Sequence, residues 1–316
     1  MPSPATAAPT SPTSPAMPAP ARVARGLALG LLGVVIFAMT LPMTRLAVGD
    51  THAPQLPPAF VTAGRAALAG LLSVLYLLAV RAPWPARRHW RPLAISALGT
   101  VVGFPLFLSL ALREVPSMHA AVVTGILPLT TAVLGAMVLR QRPHWGFWAC
   151  AITGTALVLA FALRASGGHL VLADVYLLLC VTTGAFGYVY GAQVSAVLPA
   201  QQVICWVLVG SLPFTWPVAL WAWPAGPASN AAWMGFAYVS VFSMWLGFFA
   251  WYRGLALGGL LRVSQIQLVQ PFLALLFAVP VLGETLDPVT MGFALAVIAV
   301  VFIGRKMPVS TNPERP

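Results

Sequence analysis

Acidic side chains are almost missing from this sequence: six Asp and Glu stand against 17 Lys and Arg in 316 residues, and charged residues of both signs make up only 7%. An average soluble domain carries about 25% charged residues, so no water-facing surface of ordinary size can be built from this composition. Cysteine is just as sparse. Cys150, Cys180 and Cys205 form an odd set inside apolar runs with no CxxC spacing, which excludes a disulfide framework and a cysteine metal site. The histidines, His52, His89, His119, His144 and His169, fall at predicted helix ends or in loops. The chain has no HExxH, no GxSxG and no aspartate-rich metal motif, so a membrane-embedded enzyme has nothing to work with, and no cofactor or metal is expected.

What is abundant is apolar sequence, 59% of all residues. It recurs in runs that mostly exceed the roughly 18 to 20 residues needed to cross a bilayer. The runs predict helices near 27–46, 59–80, 93–112, 117–139, 145–163, 172–193, 203–221, 231–252, 260–282 and 288–305, joined by short connectors rich in Pro and Gly. Residues 1–25 are largely Pro, Ala, Ser and Thr and read as a disordered tail, with a second short tail over 307–316. The formal charge of +11 does not point to nucleic acid, because Lys and Arg sit singly or in short clusters between apolar runs. They follow the positive-inside rule instead. With both termini cytoplasmic, every Lys and Arg except Arg45, Arg65, Arg113 and Arg164 lies on the inner side. The expected class is therefore an all-α membrane protein of ten transmembrane helices in a bacterial inner (plasma) membrane, with the lipid bilayer and a small-molecule solute as partners, as a monomer or homodimer.

Displacing the chain by 143 residues lays Leu112 on Leu255, His119 on Arg262, Thr124 on Gln267, Pro128 on Pro271, and Val138-Leu139 on Val281-Leu282. The matched features keep their order, and a repeat of five helices enters the membrane the second time with opposite orientation, the plan of many secondary transporters. Several stretches carry a likeness. Phe60 to Arg65 opens the second helix with one early arginine; Val115-Pro116-Ser117 precedes a helix holding Pro128; Asp174 starts the sixth helix; and Arg262 to Glu284 holds Pro271 and ends in Gly283-Glu284. In these the sequence resembles the EamA branch of the drug/metabolite transporter superfamily, over roughly residues 26–306. The resemblance implies two inverted five-helix repeats, 26–164 and 165–306, and export or exchange of small polar metabolites, amino-acid-like solutes or drugs by alternating access. It departs from the family where the fourth helix commonly ends in glutamate, since this chain has Arg140-Gln141-Arg142. A passive channel or a lipid flippase is the alternative.

Polar groups inside lipid must face the bundle or a cavity. Ser264, Gln267 and Gln270 recur every three residues on one face of the ninth helix, with Gln265 on another side. Either they line a polar cavity, where amides both donate and accept, or they bond helix to helix. Thr124 joins them through the repeat, and Pro128 and Pro271 each free a mid-span carbonyl, as hinges or as inherited kinks. Arg65, about 9 Å down the second helix, either faces the cavity and attracts an anionic group or snorkels to the interface. Phe104, Tyr188, Trp245 and Tyr252 either supply the apolar walls that a small-molecule pocket needs or pack as ordinary core side chains. With no carboxylate near the midplane, Asp174 and Glu284 at outer helix ends are the candidates for ion coupling.

Overall fold

The computed structural model describes residues 19–138, 142–165, 167–195, 197–258, 263, 266–307, 309 and 310. Among these, eight helices are long and apolar enough to cross a membrane: α1 (Ala21–Val48), α2 (Pro58–Ala79), α3 (Arg87–Glu114), α4 (Ser117–Val138), α5 (Trp145–Ala165), α6 (Leu172–Ser195), α7 (Gln201–Trp221) and α8 (Asn230–Gly258). Two shorter apolar helices follow, α9 (Gln267–Leu282) and α10 (Pro288–Gly304). The strands among the described residues are one two-residue pairing, Arg142–Pro143 with Val309–Ser310.

Local chemistry sets the ends. Pro58 and Pro288 sit in first turns, where a missing N–H is harmless. Ser229 and Asp287 accept the backbone N–H of Ala232 (3.1 Å) and Thr290 (3.0 Å) and so cap α8 and α10. Gly283, at φ +70°, closes α9 in the left-handed conformation that glycine adopts without strain. The outward faces are apolar: Ile152 and Phe214 are 71% and 74% exposed, a surface suited to lipid and not to water.

Each helix of the first five packs against one of the second five: α1 on α8, α2 on α7, α3 on α6, α4 on α9 and α5 on α10. Exchanging the two sets of five leaves this pairing unchanged. The closest approaches are made by glycine. A Cβ on Gly26 would lie 2.2 Å from the Gly258 nitrogen, one on Gly254 2.6 Å from that of Gly30, and one on Gly99 2.5 Å from that of Gly187. The backbones of α1 and α8, and of α3 and α6, therefore touch directly, as small residues at four-residue spacing allow.

Five helices are irregular where they cross the centre, α1 through a one-residue interruption at Met39. Leu98–Gly103 of α3 and Tyr238–Leu246 of α8, which occupy matching places in the repeat, are π-helical. In α4 the regular helix breaks between Thr124 and Leu127, just before Pro128. In α9 a tight 3₁₀ turn, Gln267–Val269, precedes Pro271. Each proline lacks the N–H that would bind the carbonyl four residues earlier, so the carbonyls of Thr124 and Gln267 lose their usual partner. One feature differs from expectation. The first helix begins at Ala19, inside the stretch expected to be disordered, because Ala21, Arg22, Ala24 and Arg25 are strong helix formers that extend the apolar run. The expected start of the ninth helix, with Ser264 and Gln265, lies outside the described residues.

Candidate functional site

The irregular segments converge on a chain of cavities along the seam between the two sets of helices. At its centre Arg65 projects from α2 toward the π-helical turn of α8. Its Nη2 donates to Ser243 Oγ (3.1 Å), which is 2.8 Å from Thr40 Oγ1 on α1. Arg65, Ser243 and Thr40 are all buried, and Thr100, Phe104, Tyr188 and Gln270 complete the walls. A second cavity shares Phe104 and Gln270 with the first and adds Thr124, Pro128, Gln267 and Pro271. Both are narrow, about 40 Å³ each. A third, of about 190 Å³, shares Tyr188 with the first and Gln267 with the second, and runs past Trp251 and Tyr252 toward the C-terminal end of α8.

At the opposite end a cavity of about 530 Å³ opens among the first turns of α4 and α10 and the last turn of α5. His119 and Glu284 line it, and both are engaged. His119 Nε2 lies 2.7 Å from Asp174 Oδ1, with both side chains buried, and Asp174 Oδ2 accepts the N–H of Val171 (3.1 Å). Glu284 accepts the N–H of Ser117 at Oε1 (2.7 Å) and that of Met118 at Oε2 (2.8 Å). Pro116 precedes α4 and offers no capping side chain, so the end of α9 supplies the cap for α4, and its negative charge meets the positive end of the helix dipole. Arg45 is tied down at this same end, donating to the carbonyls of Leu112 and Val115 and pairing with Asp50 at 3.6 Å.

The structure brings together Gln267, Gln270, Thr124, Arg65, Tyr188, Phe104 and Tyr252, and sets Pro128 and Pro271 beside them. Trp245 departs from the expected wall: it packs against Phe249 with ring centroids 4.9 Å apart, away from these cavities. Sequence reasoning missed Ser243, Thr40 and the His119 to Asp174 pair. A signal for the pair existed, since both residues stand in first turns of helices that begin at the same end of the bundle.

Comparison with known proteins gives this architecture a family. The profile of the EamA-like transporter family matches residues 24–162 and again 171–305. The chain belongs to the EamA-like transporter family. It is thereby a multi-pass membrane transporter of the drug/metabolite transporter superfamily. This EamA-like chain is 43% identical over 279 residues to a protein of Bacillus subtilis (strain 168) named "Uncharacterized transporter YdeK", a match that covers 88% of this chain and 96% of YdeK. A solved structure, described only as the crystal structure of a protein, has the same fold with a TM-score of 0.60 at 19% identity, over 90% of this chain and 96% of that one.

Proposed function

We propose that the protein is a secondary transporter that exports or exchanges small polar solutes by alternating access, through the cavities between two inverted five-helix repeats. The observation that carries this reading is the meeting of Thr124, Gln267 and Gln270, from equivalent helices of the two halves, in one narrow cavity beside two proline breaks. Amides and hydroxyls there can trade hydrogen bonds with a solute as it sheds its water. The π-helical turns of α3 and α8 and the breaks of α4 and α9 are places where a helix can take two arrangements at small cost, which alternating access needs. The wide cavity at one end and the narrower one at the other fit a carrier with separate entrances to a constricted centre. Ten spans with both termini cytoplasmic put the His119 to Asp174 pair and Glu284 on the outer side, where the pair is a candidate for proton coupling.

The test is counterflow in proteoliposomes loaded with amino acids, nucleosides or cationic dyes, with Gln267→Ala as the comparison. Saturable counterflow that the substitution abolishes is the expected result. Flux that never saturates and shows no counter-transport would sink the carrier reading in favour of a passive channel.

A further inference from the structure

Among the described residues, the charge held in the central cavity has no counter-charge. Arg65 is 3% exposed, and its Nε and Nη1 have no hydrogen-bond partner, while Nη2 meets one hydroxyl, Ser243 Oγ, and a thioether, Met244 Sδ, at 4.0 Å. Among the described residues, no carboxylate lines this cavity or the two that adjoin it. Three of the described carboxylates are committed elsewhere: Asp174 to His119, Glu284 to the first turn of α4, Asp50 to Arg45. Snorkelling would carry the guanidinium to the end of α2, yet it lies against the middle of α8 instead.

A buried cation with unmatched donors is stable only when something supplies the missing acceptors. A carboxylate does so best, because its two oxygens match a guanidinium edge and its charge is opposite. Around the guanidinium stand Phe37, Phe104 and Phe248, which would bury an apolar body, and the Gln270 amide, which would meet a polar substituent. A cationic solute finds here a like charge in a low-dielectric site, and nothing acidic to offset it.

We infer that Arg65 anchors the carboxylate of an organic monoanion carried through the central cavity, which at about 40 Å³ must widen to admit it, with the solute's apolar body against Phe37, Phe104 and Phe248. The inference rests on the reading of this cavity as the solute's path.

Binding of radiolabelled benzoate to the purified protein tests it, in competition with benzamide and benzylammonium, which keep the ring and change the charge. Benzoate should bind saturably, neither analogue should displace it at a roughly ten-fold excess, and an equal concentration of chloride should not displace it. Arg65→Gln should weaken benzoate binding by about ten-fold or more, and Arg65→Lys by less, since the ammonium keeps the charge without the planar fork. Absence of saturable benzoate binding, displacement by benzylammonium as effective as by benzoate itself, displacement by equal chloride, or undiminished affinity in Arg65→Gln would each overturn it. The charge series on the unaltered protein decides the matter even if Arg65→Gln fails to fold. Counterflow of neutral or cationic solutes without benzoate binding would leave the transporter reading standing and remove this inference. Benzoate binding that depends on Arg65, with no counterflow of any solute, would do the reverse.

Discussion

Replacing Glu284 removes a contact that joins two helices from different halves of the chain, and its size can be worked from geometry. The carboxylate accepts two short backbone N–H bonds, of 2.7 and 2.8 Å, at a helix start that has no other side-chain cap. Loss of a cap typically costs about 1 kcal/mol, and hydrogen bonds to a charged group are each worth roughly 1.5 to 3 kcal/mol. Water in the adjoining cavity of about 530 Å³ can take over part of the task, which pulls the figure down. Glu284→Ala should therefore destabilise the folded protein by about 2 kcal/mol, some 30-fold in the unfolding equilibrium. Glu284→Gln keeps one acceptor oxygen but turns its amide donors toward the second N–H, so it should lose about 1 kcal/mol. Equilibrium unfolding of the protein in mixed micelles, titrated with a denaturing detergent, measures both. An alanine variant within about 0.5 kcal/mol of the unaltered protein would refute the claim that α9 caps α4.

Three further outcomes rest on other contacts. Removing Asp174 leaves both His119 and the Val171 N–H without their acceptor, so Asp174→Ala should cost about 3 kcal/mol, and a double-mutant cycle with His119→Ala should give a coupling above about 1 kcal/mol. Gly99→Ala should destabilise by about 1 to 3 kcal/mol in the same unfolding assay, because the new Cβ would lie 2.4 Å from the Thr183 carbonyl oxygen, whereas Gly210→Ala, with nothing within 4 Å, should be neutral or slightly stabilising. The backbone N–H groups of Thr290 and Val289, with the Thr290 hydroxyl, hold the Asp287 carboxyl below its ordinary 3.8. The stability it contributes is therefore complete above that value and is lost as pH falls through the lowered one, so Asp287→Asn should flatten the acid limb of a thermal unfolding profile below about pH 4.

Hydropathy made the membrane helices legible, since each run needs only length and apolar content to be recognised. The 143-residue displacement made part of the centre legible as well. Thr124 and Gln267, aligned by it, do line one cavity, each one turn before a proline. Arg65 was legible as an anomaly but not in its direction, because a side chain of that length reaches either inward or to the interface. The pair of His119 with Asp174 was half legible, since both stand in first turns at the same end of the bundle, but the cap that Glu284 supplies and the hydroxyl of Ser243 beside Arg65 depend on which helices are neighbours, and no local pattern encodes that. Trp245, which packs on Phe249, was not legible either, because an aromatic side chain in an apolar helix carries no mark of which neighbour it faces.

The glycine-lined contacts between the first and second sets of helices also bear on how the chain is made. Gly26 meets Gly258 and Gly30 meets Gly254, so α1 must wait for the synthesis of roughly 200 more residues before its partner exists. At about 5 to 20 residues per second, that interval is on the order of 10 to 40 s. Throughout it the ribosome holds a half-built bundle in the membrane, with bare backbone ridges on α1 and the guanidinium of Arg65 on α2 still unshielded. A half released at that stage would have one obvious refuge, the matching faces of a second half, which makes the first five helices a candidate for pairing with copies of themselves or with separately made second halves.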